Sequence, residues 1–204
     1  MEKTVLFRDF EERDIDFIYR CKNDEKLNSM IVGEWHPFTY EEAVKWVHGC
    51  MGEHETFKFW AVCTNDEEKR IVGWVSLSEI DKKKAYFHGI VIADPNYRDG
   101  FAWIESYLFI YDYAFSILGV EKVYGKARTD HLLSQSLRHA MFAETINLEK
   151  NALYSGGQYH DISEGMLSRD EYLKHKGNGD YELPVIIKRL IAIKKQMKKV
   201  NVSL

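Results

Sequence analysis

The spacing of apolar residues divides the chain into segments of two periods. Val5-Leu6-Phe7 predicts a short first strand. Over residues 11–22, Ile15, Ile18 and Tyr19 stand at i, i+3 and i+4, which predicts a helix. Residues 23–37 carry no period and predict an irregular segment. Thr39-Tyr40-Glu41-Glu42 then reads as a capping box, with Phe38 and Ala43 at the staple positions, opening a helix to about residue 50. Three strands are predicted at 57–63, 71–79 and 85–93, joined by polar turns short enough for an antiparallel meander. Tyr107, Ile110, Tyr111, Ala114 and Ile117 recur at helical spacing, and Gly119 suits the end of that helix. A strand at 123–127, a helix at 130–140 and a hairpin pairing 150–154 with 159–166 follow. Ser168 caps a last short helix of the body. The order predicts one α/β domain on a mixed, mostly antiparallel sheet flanked by helices.

Composition narrows this picture. The 204 residues suit one domain that buries roughly 70% of its unfolded surface. Cys21, Cys50 and Cys63 are odd in number and widely spaced, which predicts buried thiols in a reducing, cytoplasmic setting. The N-terminus holds no long apolar run of the kind a leader needs, and no stretch is apolar enough to span a membrane. The net charge of −4 conceals a split. Residues 182–204 carry six basic side chains against Glu182, a local +5, so the other 181 residues sum to −9. An acidic body excludes a nucleic-acid-binding face there.

The chemistry concentrates where the strand Gly89-Ile90-Val91-Ile92 turns through Asp94-Pro95-Asn96-Tyr97-Arg98-Asp99-Gly100 into a helix. Such a junction presents unpaired amides and the positive end of the helix dipole, a setting for a pyrophosphate. With one glycine and no Gly-Lys-Ser/Thr it is not a P-loop. Together with Arg20-Cys21-Lys22-Asn23-Asp24, Phe38 to Ala43 with Trp46, Ile71-Val72-Gly73-Trp74-Val75, Asp112-Tyr113-Ala114-Phe115 and Gly156 to Asp161, this segment resembles the GNAT acetyltransferase superfamily in its RimJ/RimL-type, ribosomal-protein alanine acetyltransferase branch. The resemblance runs from about residue 4 to residue 174. It implies a GNAT fold over residues 1–176, with 177–204 as linker and basic amphipathic helix.

The resemblance implies transfer of an acetyl group from acetyl-CoA to a primary amine of a small molecule or a protein N-terminus, by direct attack on the thioester. Backbone groups near Ile90, Val91 and Ile92 would bond the pantetheine and polarise the thioester carbonyl. Arg98, Asp99, Gly100, Phe101, Ala102 and Trp103 would hold the pyrophosphate. Counting Gly100 and Ala102 as the small positions of the family loop puts Tyr97 at its Gln/Arg position. Counting from Arg98 puts Phe101 and Trp103 where glycines belong. The first register keeps small residues where backbone approaches phosphate. Asp130 stands at a family asparagine, and Leu137 at a tyrosine that protonates the leaving thiolate in many members. Ser134, or Ser136, is the candidate proton relay in its place.

The family's usual strand-four glutamate falls near Phe87. Its neighbour His88 is the candidate base, since a histidine suits an ammonium substrate. Alternation puts the two on opposite faces unless the strand is bulged. Glu34 and Trp35 are candidates for binding a cationic acceptor. His48, Cys50 and His54 could suggest a metal site, but the first two stand at i and i+2 of one helix and do not face each other, so no metal is expected. The alternative is a non-catalytic module that binds acyl-CoA or mediates contacts. In the tail, Ile186, Leu190, Ile193, Met197 and Val200 form a narrow stripe after Pro184. Three readings follow: docking on the acidic body, pairing in a homodimer, or lying on an anionic membrane.

Overall fold

Seven strands form one sheet in a computed structural model that describes residues 3–98 and 100–201. The elements are β1 (Val5–Arg8), α1 (Ile15–Lys22), α2 (Glu25–Asn28), α3 (Tyr40–Cys50), β2 (Lys58–Thr64), β3 (Ile71–Ser78), β4 (Lys84–Ile92), α4 (Phe101–Asp112), β5 (Lys122–Arg128), α5 (Leu132–Ala140), β6 (Glu144–Ser155), β7 (Gln158–Ser168), α6 (Arg169–Gly177) and α7 (Leu183–Asn201). The sheet order is β1-β2-β3-β4-β5-β7-β6. Every pair is antiparallel except β4 and β5. Of the sequence-based assignments, Asp99 and the side chain of Val200 lie outside what the structure describes.

Strand alternation sorts the core into two layers. In β2, Trp60 and Val62 face the main cluster with Ile104, Ile110 and Phe115 of the α4 side, and Leu137 of α5 joins it. Ala61 and Cys63 face the opposite layer, with Ile18 of α1, Val47 of α3 and Trp74 of β3. Burial holds the thiols protonated: Cys21 and Cys50 are pushed up to about 12 and Cys63 to about 11. A thiol reagent at about pH 8 should therefore leave the native protein untouched and titrate three thiols after denaturation. Rapid labelling of the native protein would contradict the buried placement.

Local chemistry explains most boundaries. The capping box forms as expected: Thr39 Oγ1 accepts from the Glu42 amide at 3.2 Å, and Glu42 Oε2 accepts from the Thr39 amide at 2.7 Å. Three boundaries differ from the sequence pattern. The irregular 23–37 segment contains the one-turn α2, because Asp24 Oδ1 accepts from the Leu27 amide at 2.9 Å. α5 starts at Leu132 with His131, not Asp130, capping it, since Arg128 draws the Asp130 carboxylate away. β6 begins at Glu144, and register shifts at Thr145/Asn147 and Glu149/Leu153 erase the alternation that would have announced it. The helix after Gly100 does run to Leu118, its last six residues widened into a π-helix.

The tail helix lies on its own body. Ile186 is fully buried and Leu190 nearly so, and both join the main cluster. Arg189 Nη1 donates to the Ala140 carbonyl at 2.6 Å, satisfying the C-terminal end of α5. Its guanidinium lies 3.9 Å from the Phe142 ring centroid, and His175 stacks on the same ring. No helix among the described residues is long and apolar enough to cross a membrane.

Candidate active site

β4 and β5 pair only where Lys84–Tyr86 meet Lys122–Tyr124. Beyond Tyr86 the strands part: β4 continues against β3, and β5 against β7. From Phe87 to Ile92, the backbone groups of β4 that face away from β3 have no strand partner. Satisfying them is the task a ligand's amide groups can take. The opening holds a cavity of about 40 Å³, lined by Phe87 and Gly89 of β4, Gly125 of β5, Tyr107 of α4, and Ser134 and Arg138 of α5.

A bulge shapes the β4 edge. Ser76 pairs with Gly89 while Leu77 pairs with Phe87, so His88 is the extra residue. Gly89 takes φ +105°, a value that favours glycine. The bulge lets Phe87 and Ile90 both face the main core, where strict alternation would oppose them. Phe87 is buried with its ring edge-on to Tyr107, so the family's usual base position holds core. His88 is exposed on the bulge itself.

The strand ends in a tight loop. Asp94 Oδ1 accepts from the Asn96 amide at 2.9 Å, and Arg70 pairs with its other oxygen at 2.9 Å. The Arg98 side chain folds back, Nε donating to the Ile92 carbonyl at 2.9 Å and Nη2 to that of Ala93 at 2.7 Å. It fastens the strand end. Gly100 caps α4 at φ +115° with no side-chain bond, and no acid stands in the first turn. The helix start carries the positive end of the α4 dipole. Ala102 is fully buried and Trp103 packs against the main core, so neither side chain covers the terminus. The open strand edge and the glycine-led helix start together fit an acyl-CoA, amides for the pantetheine and a dipole end for the pyrophosphate.

Asp130 belongs to a separate knot. It accepts from Arg128 Nε at 2.9 Å and Nη2 at 2.7 Å, which holds its carboxyl below the usual range. With His160 Nε2 donating to Ser155 O, Nδ1 accepts from Arg128 Nη2 at 2.9 Å. Arg128 Nη1 also reaches Ser29 O at 2.8 Å. The knot lashes the 23–37 segment to β5 and the β6–β7 hairpin. In that segment Trp35 is half-buried, its Nε1 donating to Lys22 O at 2.9 Å, and Glu34 is exposed. The Lys22 ammonium lies 4.8 Å from the Trp46 centroid, 5.3 Å from Phe38 and 5.4 Å from Trp74. Ser134 lines the cavity with Tyr107; Ser136 instead bonds Leu132 O. Leu137 is buried in the core. Sequence reasoning missed Arg128, His160, Tyr107 and Arg138. Only Arg138 had a local signal, one helical turn beyond Ser134 on the same face.

A parted strand pair beside a glycine-led helix start marks an acyl-CoA-dependent transferase fold, and the family comparison agrees. The Acetyltransferase (GNAT) domain model matches residues 4–139, so the chain belongs to the GNAT acetyltransferase family. GNAT acetyltransferases use acetyl-CoA as donor. Among solved structures, the chain is similar to a spermidine N-acetyltransferase from Vibrio cholerae in complex with CoA and spermine, with TM-score 0.73, 22% identity, and 83% of this chain and 98% of that one covered. It is similar to a GNAT-family acetyltransferase from Bacillus anthracis (TM-score 0.70, 17% identity, 84% and 98% covered). It is also similar to a GCN5-related N-acetyltransferase from Brucella melitensis (TM-score 0.69, 15% identity, 87% and 81% covered). No curated protein matches the chain.

Proposed function

We propose that the chain is an acetyl-CoA-dependent N-acetyltransferase whose acceptor is a small cationic amine. The observation that carries this is the β4 edge from Phe87 to Ile92, left without a strand partner beside the glycine-led start of α4. In this reading Ile90, Val91 and Ile92 bond the pantetheine through their backbone, and the amides of residues 100–103 hold the pyrophosphate. His88 takes the amine proton from its exposed place on the bulge. Asp130 acts through the Arg128 knot by fixing the loop that carries Glu34 and Trp35. The −9 charge of residues 1–181 supports a cationic acceptor. The similar structure from Vibrio cholerae, a spermidine N-acetyltransferase, puts polyamines first in the test panel. The RimJ/RimL-type motifs put a protein N-terminus second.

Residues 1–176 are the proposed catalytic unit, with α7 as its brace. A homodimer would form through the exposed side of α7, where Ile191 stands. The buried thiols fit a cytoplasmic protein.

Acetyl-CoA at about 100 times its dissociation constant should stabilise the fold by about 2.7 kcal/mol. For a domain this size that is about 5–11 °C in Tm. CoA release should then depend on an amine, and His88→Ala should slow it and displace its pH profile. No thermal shift would defeat the proposal. A shift without release across the panel would leave the non-catalytic binding module.

A further inference from the structure

Arg138 is 95% buried by its 5% exposure, yet it forms no ion pair among the described residues. Its four terminal N–H groups go to neutral acceptors. Nη1 donates to Ser163 O at 3.1 Å and Gly125 O at 3.4 Å. Nη2 donates to Gln135 Oε1 and Ser163 Oγ, each at 2.7 Å. Nε is buried with no hydrogen-bond partner. Burying a full charge against neutral groups alone is expensive.

The surroundings make room for it. A Cβ on Gly165 would lie 2.6 Å from Arg138 Cδ and 3.0 Å from its Nε, so only glycine admits the side chain there. Gly165 pairs with Gly125, and both line the cavity where β4 parts from β5. Two hydroxyls lie beside the guanidinium. Tyr107 is pushed up to about 12 by burial, so it remains a neutral donor, and Ser134 lines the same cavity. A fixed cation and two O–H groups thus line the parted strands, and among the described residues no anion pairs with that cation.

We infer that Arg138 is a catalytic residue that stabilises the thiolate of the departing CoA. The inference rests on the acetyltransferase reading above. As the amine nitrogen forms its bond to the acetyl carbon, the C–S bond breaks and its electron pair stays on sulfur. The amine proton passes to His88 and the thiolate takes a proton later from water. Negative charge is therefore greatest on sulfur in the step where Leu137 offers no proton, and a buried guanidinium is worth most in such a dry site.

The test titrates the thiol of CoA bound to the intact protein, followed by thiolate absorbance. A free thiol of this kind titrates near about 8.5. Bound to the wild-type protein it should titrate at least about one unit lower, about tenfold in thiolate fraction. Arg138→Gln should abolish that shift and lower kcat about tenfold or more, with little change in KM for acetyl-CoA. Arg138→Lys, which keeps the charge, should recover part of both. An unshifted thiol in the wild-type complex overturns the inference without any variant, while the proposed function stands. Failure of CoA to bind at all would defeat both.

Discussion

Gly73→Ala is expected to lower the melting temperature sharply and to abolish the response to acetyl-CoA. A Cβ at Gly73 would lie 2.0 Å from the carbonyl oxygen of Val91 and 3.0 Å from the Ile92 Cα. Both are backbone atoms of the neighbouring strand, so no rotamer relieves the clash. β3 and β4 must separate where Gly73 pairs with Ile92. Overpacking of this kind costs about 3 kcal/mol, or about 6–12 °C in a domain of this size. Displacing β4 also changes the edge on which the cleft depends, so binding should fail even below the melting point. Gly49→Ala is the control. A Cβ there meets nothing within 4 Å, and the site is in the last turn of α3. That substitution should be neutral or stabilise by up to about 1 kcal/mol. Equal melting points for the two variants would refute the assigned strand contact.

The second large effect belongs to the tail. Ile186→Ala removes a fully buried side chain from the main cluster. A loss of about 2–5 kcal/mol is expected, measured by denaturant unfolding. Ile191→Ala, on the exposed side of the same helix, should leave stability and mass unchanged if the helix serves only its own body. A change in mass by light scattering for Ile191→Ala would instead assign the helix to a dimer. An unaltered Ile186→Ala would mean that the stripe does not hold α7 against the body. The docking follows from what the helix is. Nineteen residues with six cations and one apolar stripe are a marginal helix alone. Arg189, placed between Ala140 O and the Phe142 ring, fixes its position against α5.

Much of the site was legible before the structure. The strand–loop–helix from Gly89 to Gly100 could be read locally because a chain reversal into a helix needs its own residues. Asp94 supplies the turn, and Gly100 the positive φ. The glycine of the Ile-x-Gly strand was legible as a family motif, but its reason, a carbonyl 2.0 Å from any Cβ, lies on another strand. His88 shows the limit of periodic reasoning. Alternation separated it from Phe87, and only the pairing of β4 with β3 revealed the bulge that sets it outside the repeat. Asp130 read as a cofactor residue by position, yet its carboxylate is held by Arg128, which also donates to His160, 32 residues further along the chain.

The sequence by itself determined most of the helices and strands, a mixed sheet flanked by helices, the GNAT resemblance and the split between an acidic body and a basic end. These rest on spacing and caps within a few residues, where local sterics and hydrogen bonds decide. The tertiary structure alone decided how far β4 and β5 part, which arginine lies uncompensated between them and what the tail covers. Those depend on groups far apart in the chain, such as Arg128 and Ser29 at a separation of 99 residues. Only their packing sets the burial, and burial sets what a charge or a hydroxyl can do.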